Sequence, residues 1–221
     1  MTPACIFDLD GVLVDTAKYH YLAWKRLAKE LGFDFCEADN ERLKGVSRMA
    51  SLEILLEVGG IWGVDAQQKL LMANKKNDWY VAYISQMTSG EVLPGVLDFL
   101  HELKAAGVKM AIGSASKNAG TIVERVGIAP LFDAVIDGDK ISQAKPHPQV
   151  FLLGAQELCV AAAECVVFED AAAGIEAAIN AGMKSVGVGN SNILHRATLV
   201  IPNFINVTWP QLQSALSTHK S

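Results

Sequence analysis

The sequence contains little cysteine and no arrangement of it that would bind zinc. Only 4 of the 221 residues are Cys, and Cys5, Cys36, Cys159 and Cys165 form no Cys-x-x-Cys pair and have no His at zinc-finger spacing. Cys5 and Cys165 lie inside apolar runs that are typical of strands. We therefore expect all four thiols to be buried, acting as small hydrophobic side chains in a reducing compartment.

Long apolar runs and an excess of positive charge are also missing. The longest charge-free stretch, residues 197–219, is interrupted by prolines, asparagines and a glutamine, which excludes a membrane span. The N-terminus has neither a basic nor a long apolar segment, so we expect no secretory signal and a soluble, cytoplasmic protein. With 19 Lys and Arg against 24 Asp and Glu, the net charge of −5 has the wrong sign for binding a nucleic acid backbone. Small molecules are the expected partners.

The second half of the chain alternates short apolar runs with amphipathic stretches of helical length. No 20- to 50-residue repeat and no Pro-, Ser- or charge-rich linker divides the chain. Strands that are buried on both faces of a parallel sheet form continuous apolar runs, and helices connect them. The predicted fold class is therefore α/β, a doubly wound parallel sheet to which the first run, Ala4 to Asp8, also belongs. The other predicted strands are 108–113, 134–136, 165–168 and 184–188, and the helices lie near 95–106, 118–126, 148–160 and 171–181.

Residues from about 17 to 90 carry helical patterns and no convincing strand. Trp24, Leu27 and Leu31 share one face of a helix that Asp15 or Thr16 could cap. Further helical tracts are predicted at 49–58 and 65–87. We predict an all-helical cap domain, 15–90, inserted after the first strand of a core domain formed by 1–14 and 91–221. Open α/β sheets bind ligands at the carboxyl ends of their strands, where such a cap could act. Four aromatic residues are expected to be packed: Trp62, Trp79, Tyr83 and Trp209.

Two carboxylates follow the first predicted strand in the sequence Asp8-Leu9-Asp10-Gly11. Their two-residue spacing directs both to the same side, where they cannot both ionise cheaply. Either a cation joins them or one of them holds a proton. The simpler alternative for the tetrapeptide alone is a strand that ends in a polar Asp-Gly turn.

Four motifs in order make the chain resemble the haloacid dehalogenase superfamily. The segment from Asp8 to Thr16 matches D-x-D-G-x-[VL]-x-[DS]-[ST], and the later motifs are Ser114, Lys145 before Pro146, and Glu169-Asp170. The resemblance implies that Asp8 is the nucleophile that forms an aspartyl phosphate and that Asp10 is the general acid/base. It also implies catalytic roles for Ser114 and Lys145, which would donate to or neutralise phosphoryl oxygens. Chloride-displacing members lack the second Asp, so Asp10 points to phosphatase or phosphomutase chemistry.

The same carboxylates require a cation. Asp8, Asp10, Glu169 and Asp170 together with a phosphoryl dianion would crowd too much negative charge into one cleft. Oxygen ligands suit Mg²⁺. The resemblance places Mg²⁺ on the Asp8 carboxylate, the Asp10 carbonyl and Asp170, with Glu169 close by or ligating.

A closer resemblance, to the β-phosphoglucomutases of that superfamily, extends over the whole chain. It rests on residues 15–24, 43–52, 75–80 and 114–118. It implies that Arg48, with the 116–118 segment, holds the phosphate that is not being transferred, that His20 and Lys76 face the sugar or Asp10, and that residues 45–47 close over the substrate. Residues 142–144 and His147 depart mildly from the family pattern. The implied sugar-phosphate contacts are Thr16, His20, Lys44, Gly45, Val46, Ser47, Arg48, Lys76, Ala115, Ser116, Lys117 and Asn118.

The function implied by this resemblance is isomerisation of β-D-glucose 1-phosphate to glucose 6-phosphate. The reaction would use Mg²⁺, with β-glucose 1,6-bisphosphate as primer and intermediate, in a monomeric enzyme. Two alternatives stay open: a Mg²⁺-dependent sugar-phosphate phosphatase, and a sugar-phosphate-binding protein without turnover. The second is disfavoured because every catalytic motif is present.

Overall fold

A computed structural model describes residues 4–43 and 47–218, and the chain divides into two compact units. The core unit consists of Met1–Asp15 with Met87–Ser221, and the helical unit consists of Thr16–Gln86. The functional division into a core domain and a cap, with boundaries at 15 and 90, stays a prediction. None of the helices in the described ranges combines the length and apolar character needed to cross a bilayer.

Strands and helices alternate through the core unit, whereas the helical unit contains no strand among its described residues. The strands are β1 (Ala4–Phe7), β2 (Lys109–Gly113), β3 (Ala134–Ile136), β4 (Cys165–Glu169), β5 (Lys184–Val188) and β6 (Leu199–Ile201). The α-helices are α1 (Ala17–Glu30), α2 (Glu37–Glu41), α3 (Arg48–Val58), α4 (Ala66–Ile84), α5 (Val96–Ala105), α6 (Ala119–Arg125), α7 (Gln149–Glu157), α8 (Ala172–Asn180) and α9 (Trp209–Thr218). Short 3₁₀ helices occupy Ser89–Glu91, Ala129–Leu131 and Ala162–Glu164.

The six strands form one parallel sheet in the order β3-β2-β1-β4-β5-β6. This order, with helical crossovers, is that of a doubly wound sheet, which confirms the predicted fold class. The central strand β1 is fully buried because apolar layers cover both of its faces. On one side the Phe7 ring stacks on Phe168 at 4.6 Å between centroids. On the other side Ile6 packs with Phe151 of α7 in a cluster of aliphatic side chains.

The register of the three central strands brings their carboxyl ends to one edge of the sheet. Phe7 pairs with Ile112 of β2 and with Phe168 of β4. The residues that come next in the chain, Asp8 and Glu169, therefore emerge side by side, and Ser114 follows β2 at the same edge. Hydrogen bonds fix these positions, since the Asp8 amide donates to the Phe168 carbonyl at 2.9 Å.

The helical unit has its own apolar core. Trp24 and Leu27 of α1 pack with Leu52 and Leu55 of α3 and with Ala73 of α4. Side chains cap two of the helices. The Ser47 hydroxyl accepts a hydrogen bond from the Ala50 amide of α3, and the Asp65 carboxylate accepts one from the Gln68 amide of α4. Thr16 occupies the capping position of α1, but its side chain makes no capping bond.

Several sequence-based expectations were wrong. Cys5 and Cys165 are buried as expected, but Cys36 and Cys159 are exposed. Cys36 precedes the short helix α2, where its thiol donates to the Asp39 carboxylate at 3.0 Å. Trp62 was expected to be packed and is 75% exposed. It lies in a turn between Gly60 and Gly63, which both adopt positive φ and carry the chain over the surface. The elements α2, β6 and α9 were not expected.

Candidate active site

The candidate active site begins with a buried ion-pair network at the end of β1. The Lys145 ammonium donates to Asp8 Oδ1, and it also donates to Glu169 Oε2 at 3.0 Å. The Asp8 and Lys145 side chains are each only 11% exposed. Burial alone would lower the pKa of Lys145, but the charges and hydrogen bonds of Asp8 and Glu169 outweigh it and raise that pKa above its ordinary value. Lys145 is therefore a permanent cation beside the Asp8 carboxylate.

The loop that carries Lys145 is tied to the helix that follows it. The amides of Ser142 and Gln143 both donate to Gln149 Oε1, at 3.0 and 2.9 Å. The His147 amide donates to the Ala144 carbonyl at 3.0 Å. The residues that depart from the family pattern are thus compatible with an ordered loop. The Lys145 side chain also packs over the Phe151 ring, at 4.8 Å from its centroid.

Three carboxylates converge where a metal ion could bind. Asp8, Glu169 and Asp170 each offer an oxygen, and these oxygens lie within 4.8 Å of one another. Burial and the Asp8 charge raise the pKa of Glu169, and Lys145 offsets only part of this. The donor set consists of carboxylate oxygens alone, which fits a hard divalent cation such as Mg²⁺. Asp10, which is half-buried, follows in the tight turn that leaves β1.

Two glycines make room for the carboxylates of the acidic cluster. At Gly11, which has a φ of +81°, an added Cβ would lie 2.0 Å from Asp170 Oδ2. At Gly174 in α8, an added Cβ would lie 2.0 Å from the carboxyl carbon of Glu169. Gly11 belongs to the first motif, whereas no role was predicted for Gly174. Its only signal in the sequence is that it interrupts an otherwise Ala-rich helix.

The predicted phosphate-binding segment forms an ordered loop between β2 and α6. Ser114 is 1% exposed, and its hydroxyl accepts a hydrogen bond from the Ser116 amide at 3.1 Å. The Ser116 hydroxyl in turn accepts one from the Asn118 amide at 3.2 Å. Ala115 and Lys117 are exposed. The loop therefore places polar groups and one ammonium at the edge of the sheet where Asp8 lies.

The helical unit holds a second, cationic cluster. Lys76 Nζ lies 2.8 Å from His20 Nδ1, and the His20 ring stacks on Tyr80 at 4.0 Å between centroids. Burial and the charges of Lys76 and Arg48 lower the pKa of His20 to about 3, so the ring is neutral and its Nδ1 can accept a hydrogen bond from Lys76. Burial and the Arg48 charge lower the pKa of Lys76 to about 7. No carboxylate in the described residues forms an ion pair with Lys76.

The remaining residues of the helical unit that are predicted to contact the sugar phosphate differ in their exposure. Thr16 is fully buried, whereas Ser47 and Arg48 are exposed at the start of α3. Lys44, Gly45 and Val46 lie outside the described residues. The roles assigned to all of these residues stay predictions.

We predict that Lys76→Met stabilises the protein at low pH and that the gain fades as the pH rises. Between about pH 7 and 10.5 the unfolded state binds a proton at Lys76 that the folded state does not, so wild-type stability increases with pH in that window. At about 1.4 kcal/mol per pKa unit, a shift from 10.5 to about 7 corresponds to about 5 kcal/mol, and losing the hydrogen bond to His20 leaves an expected gain of roughly 2 to 4 kcal/mol at pH 6. Urea unfolding at pH 6 and pH 9.5 measures it. Lys75→Met, at an exposed lysine of the same helix, is the control. A gain that is equal at both pH values would contradict the prediction.

Comparisons with known proteins place this arrangement in a family. A family model described as haloacid dehalogenase-like hydrolase matches residues 5–188. The chain belongs to the haloacid dehalogenase-like hydrolases. A β-phosphoglucomutase of Bacillus subtilis (strain 168) is 42% identical over 207 residues, which cover 93% of this chain and 91% of that protein. A phosphorylated carbohydrates phosphatase of Thermotoga maritima is 30% identical over 185 residues, which cover 83% of each chain. The crystal structure of a β-phosphoglucomutase from Clostridium difficile superposes with a TM-score of 0.89 at 42% identity and covers 99% of each chain.

Membership of the haloacid dehalogenase-like hydrolases explains why the motifs at the strand ends come together in one place. The structure brings Asp8, Lys145 and Glu169 into direct contact and places Asp170 within the same acidic cluster. These are residues of the first, third and fourth motifs, which the sequence separates by up to 162 positions. Mg²⁺ is typical of phosphoryl-transferring members of the family, and the acidic cluster agrees with it.

Proposed function

We propose that this protein is a phosphomutase that interconverts β-D-glucose 1-phosphate and glucose 6-phosphate. The observation that carries the proposal is the Asp8 carboxylate, which is held against Lys145 at the carboxyl end of β1 with Asp10 two residues further on. The identity of 42% to β-phosphoglucomutases supports the substrate assignment.

Asp8 is the proposed nucleophile. Its oxygen attacks the phosphorus of a sugar phosphate, the bond between phosphorus and the sugar oxygen breaks, and Asp10 protonates the departing oxygen. In the second transfer Asp10 takes the proton of the 6-hydroxyl of β-glucose 1-phosphate, and that oxygen attacks the aspartyl phosphate while the bond between phosphorus and Asp8 breaks. Asp8 then attacks the 1-phosphate of the product, which releases glucose 6-phosphate and restores the aspartyl phosphate. Because the product of the second transfer carries two phosphates, β-glucose 1,6-bisphosphate is the proposed intermediate and primer.

Lys145 and a cation held by the acidic cluster are proposed to compensate the negative charge of the phosphoryl group. The Lys145 ammonium neutralises Asp8 so that a phosphoryl dianion can approach, and the Ser114 segment donates to the phosphoryl oxygens. Asp8, Asp170, the Asp10 carbonyl and, close by, Glu169 would hold Mg²⁺, which supplies positive charge to the transferring group. Ser116, Lys117 and Asn118 are assigned to the phosphate that is not transferred.

A sugar-phosphate phosphatase is the second candidate, because the Thermotoga relative is named a phosphorylated carbohydrates phosphatase. Both reactions form the same aspartyl phosphate and differ in whether a sugar hydroxyl or water accepts the phosphoryl group. We expect the protein, with Mg²⁺, β-glucose 1-phosphate and bisphosphate primer, to form glucose 6-phosphate much faster than inorganic phosphate. Equal rates of the two products would favour the phosphatase.

The variant Arg48→Ala gives a second test that distinguishes a phosphomutase from a phosphatase. If Arg48 binds the phosphate that is not transferred, its loss lowers transfer to the sugar far more than it lowers hydrolysis of the phosphoenzyme. Arg42→Ala removes an exposed arginine that pairs with Glu57 in the same unit and serves as the matched control. An equal decrease of transfer and hydrolysis in Arg48→Ala contradicts its assignment.

A further inference from the structure

The Lys117 ammonium already has an anionic partner within the protein. Lys117 Nζ donates to Asp139 Oδ1 at 2.6 Å, and the two side chains are 62% and 64% exposed. Lys117 belongs to the loop that the proposed function assigns to the phosphate that is not transferred. A phosphate that binds there meets a lysine that is already neutralised by a carboxylate.

The loop after β3 holds Asp139 in this position. Asp137 Oδ1 accepts hydrogen bonds from the amides of Asp139 and Lys140, at 3.0 and 3.3 Å. The Gly138 amide donates to the Ser116 carbonyl at 3.1 Å. A Cβ at Gly138 would lie 2.4 Å from the Ala115 carbonyl oxygen, so the two loops pack backbone against backbone. The Asp139 carboxylate is therefore built into the predicted phosphate site.

No second cation in the described residues neutralises Asp139. The neighbouring Lys140 ammonium donates to the Val135 carbonyl at 2.8 Å, and Asp139 forms its ion pair with Lys117 alone. A phosphate near Lys117 must displace this carboxylate or bind in its field, and either outcome weakens the binding of the phosphate.

We propose that Asp139 lowers the anion affinity of the predicted phosphate site by competing with phosphate for Lys117. The proposal rests on the proposed function, because it needs Lys117 to bind phosphate. The competition weakens every anion by a similar factor. A sugar bisphosphate keeps its contacts through the sugar and the second phosphate, whereas inorganic phosphate has no other group to hold it. Asp139 thereby lowers the occupancy of the site by inorganic phosphate at a concentration at which substrate still binds.

The test is Asp139→Asn, measured by steady-state kinetics with inorganic phosphate as a competing anion. Exposed charge pairs are weak, so we expect the inhibition constant of phosphate and the KM for β-glucose 1-phosphate to fall about two- to fivefold, with kcat unchanged. Raising KCl to about 0.5 M should reduce the difference from wild type, because salt screens exposed charges. Glu30→Gln removes the Lys75–Glu30 pair, which has the same 2.6 Å distance, and should change neither constant.

The variant Lys117→Ala distinguishes a failure of the Asp139 proposal from a failure of the phosphate site in the proposed function. If it leaves phosphate inhibition unchanged, Lys117 does not bind phosphate, and both this proposal and the phosphate site of the proposed function are wrong. If it weakens inhibition while Asp139→Asn leaves it unchanged or weakens it too, only the role of Asp139 is overturned. In the Lys117→Ala background, Asp139→Asn should have no further effect on the KM, and an effect of the original size would also overturn the proposal.

Discussion

Asp8→Asn is expected to abolish phosphoryl transfer while the core unit stays folded. An amide cannot form the acyl phosphate, so the loss should be roughly 10⁴-fold or more in turnover. The variant keeps the shape of the side chain and relieves the repulsion between Asp8 and Glu169, and Lys145 retains Glu169 as a partner. Its unfolding temperature should therefore be close to that of wild type or higher.

The primed assay and the mass of the phosphoenzyme measure this loss together. Wild type should carry one phosphoryl group after reaction with bisphosphate, and Asp8→Asn should carry none. Asp98→Asn, at an exposed aspartate of α5, is the matched control and should behave as wild type. Turnover near the wild-type rate in Asp8→Asn would remove Asp8 from the mechanism.

Gly174→Ala is expected to impair magnesium binding although it favours helix formation. Ala is the better helix former by about 1 kcal/mol. Its Cβ, however, would lie 2.0 Å from the carboxyl carbon of Glu169, which is 2% exposed and has little space in which to move. Displacing Glu169 disturbs its bond to Lys145 and the spacing of the acidic cluster. Residues that support metal ligands typically contribute about 10- to 100-fold to metal affinity or activity, and we expect a loss of that size.

The comparison with Gly120→Ala isolates the clash. Gly120 lies in α6, and a Cβ at that position meets nothing within 4 Å. The same substitution there should leave activity unchanged. The measurement is the Mg²⁺ concentration that gives half-maximal activity, together with the rise in unfolding temperature when Mg²⁺ is added. An identical Mg²⁺ dependence in Gly174→Ala and wild type would rule out the clash as a constraint on the site.

The sequence was most informative where a strand is apolar throughout and polar residues follow it. The β1 run is followed by Asp8, and β4 ends at Glu169 with Asp170 next, so the sheet and the edge at which these carboxylates meet could be predicted. The elements α2 and β6 could not, because none of the five residues of α2 is buried, so α2 shows no apolar period, and the three residues of β6 are followed directly by Pro202 and Asn203. Lys76 resembles a surface residue of an amphipathic helix, and only packing against Trp24 and Tyr80 reveals its burial. The pairing of Lys117 with Asp139 depends on two loops whose contact no local pattern encodes.

The central position of β1 has a consequence for the order in which the molecule assembles. The strand β1 is made before its neighbours in the sheet, because Ala4 pairs with Lys109 and Cys165, which come more than 100 residues later. The nascent chain must keep this apolar strand unpaired until β2 and then β4 are made, whereas the helices of residues 16–86 find their partners nearby in sequence. Such long-range pairing slows folding and leaves β1 exposed to aggregation during synthesis. The strand that places Asp8 is therefore also one that depends on protection while the chain is being made.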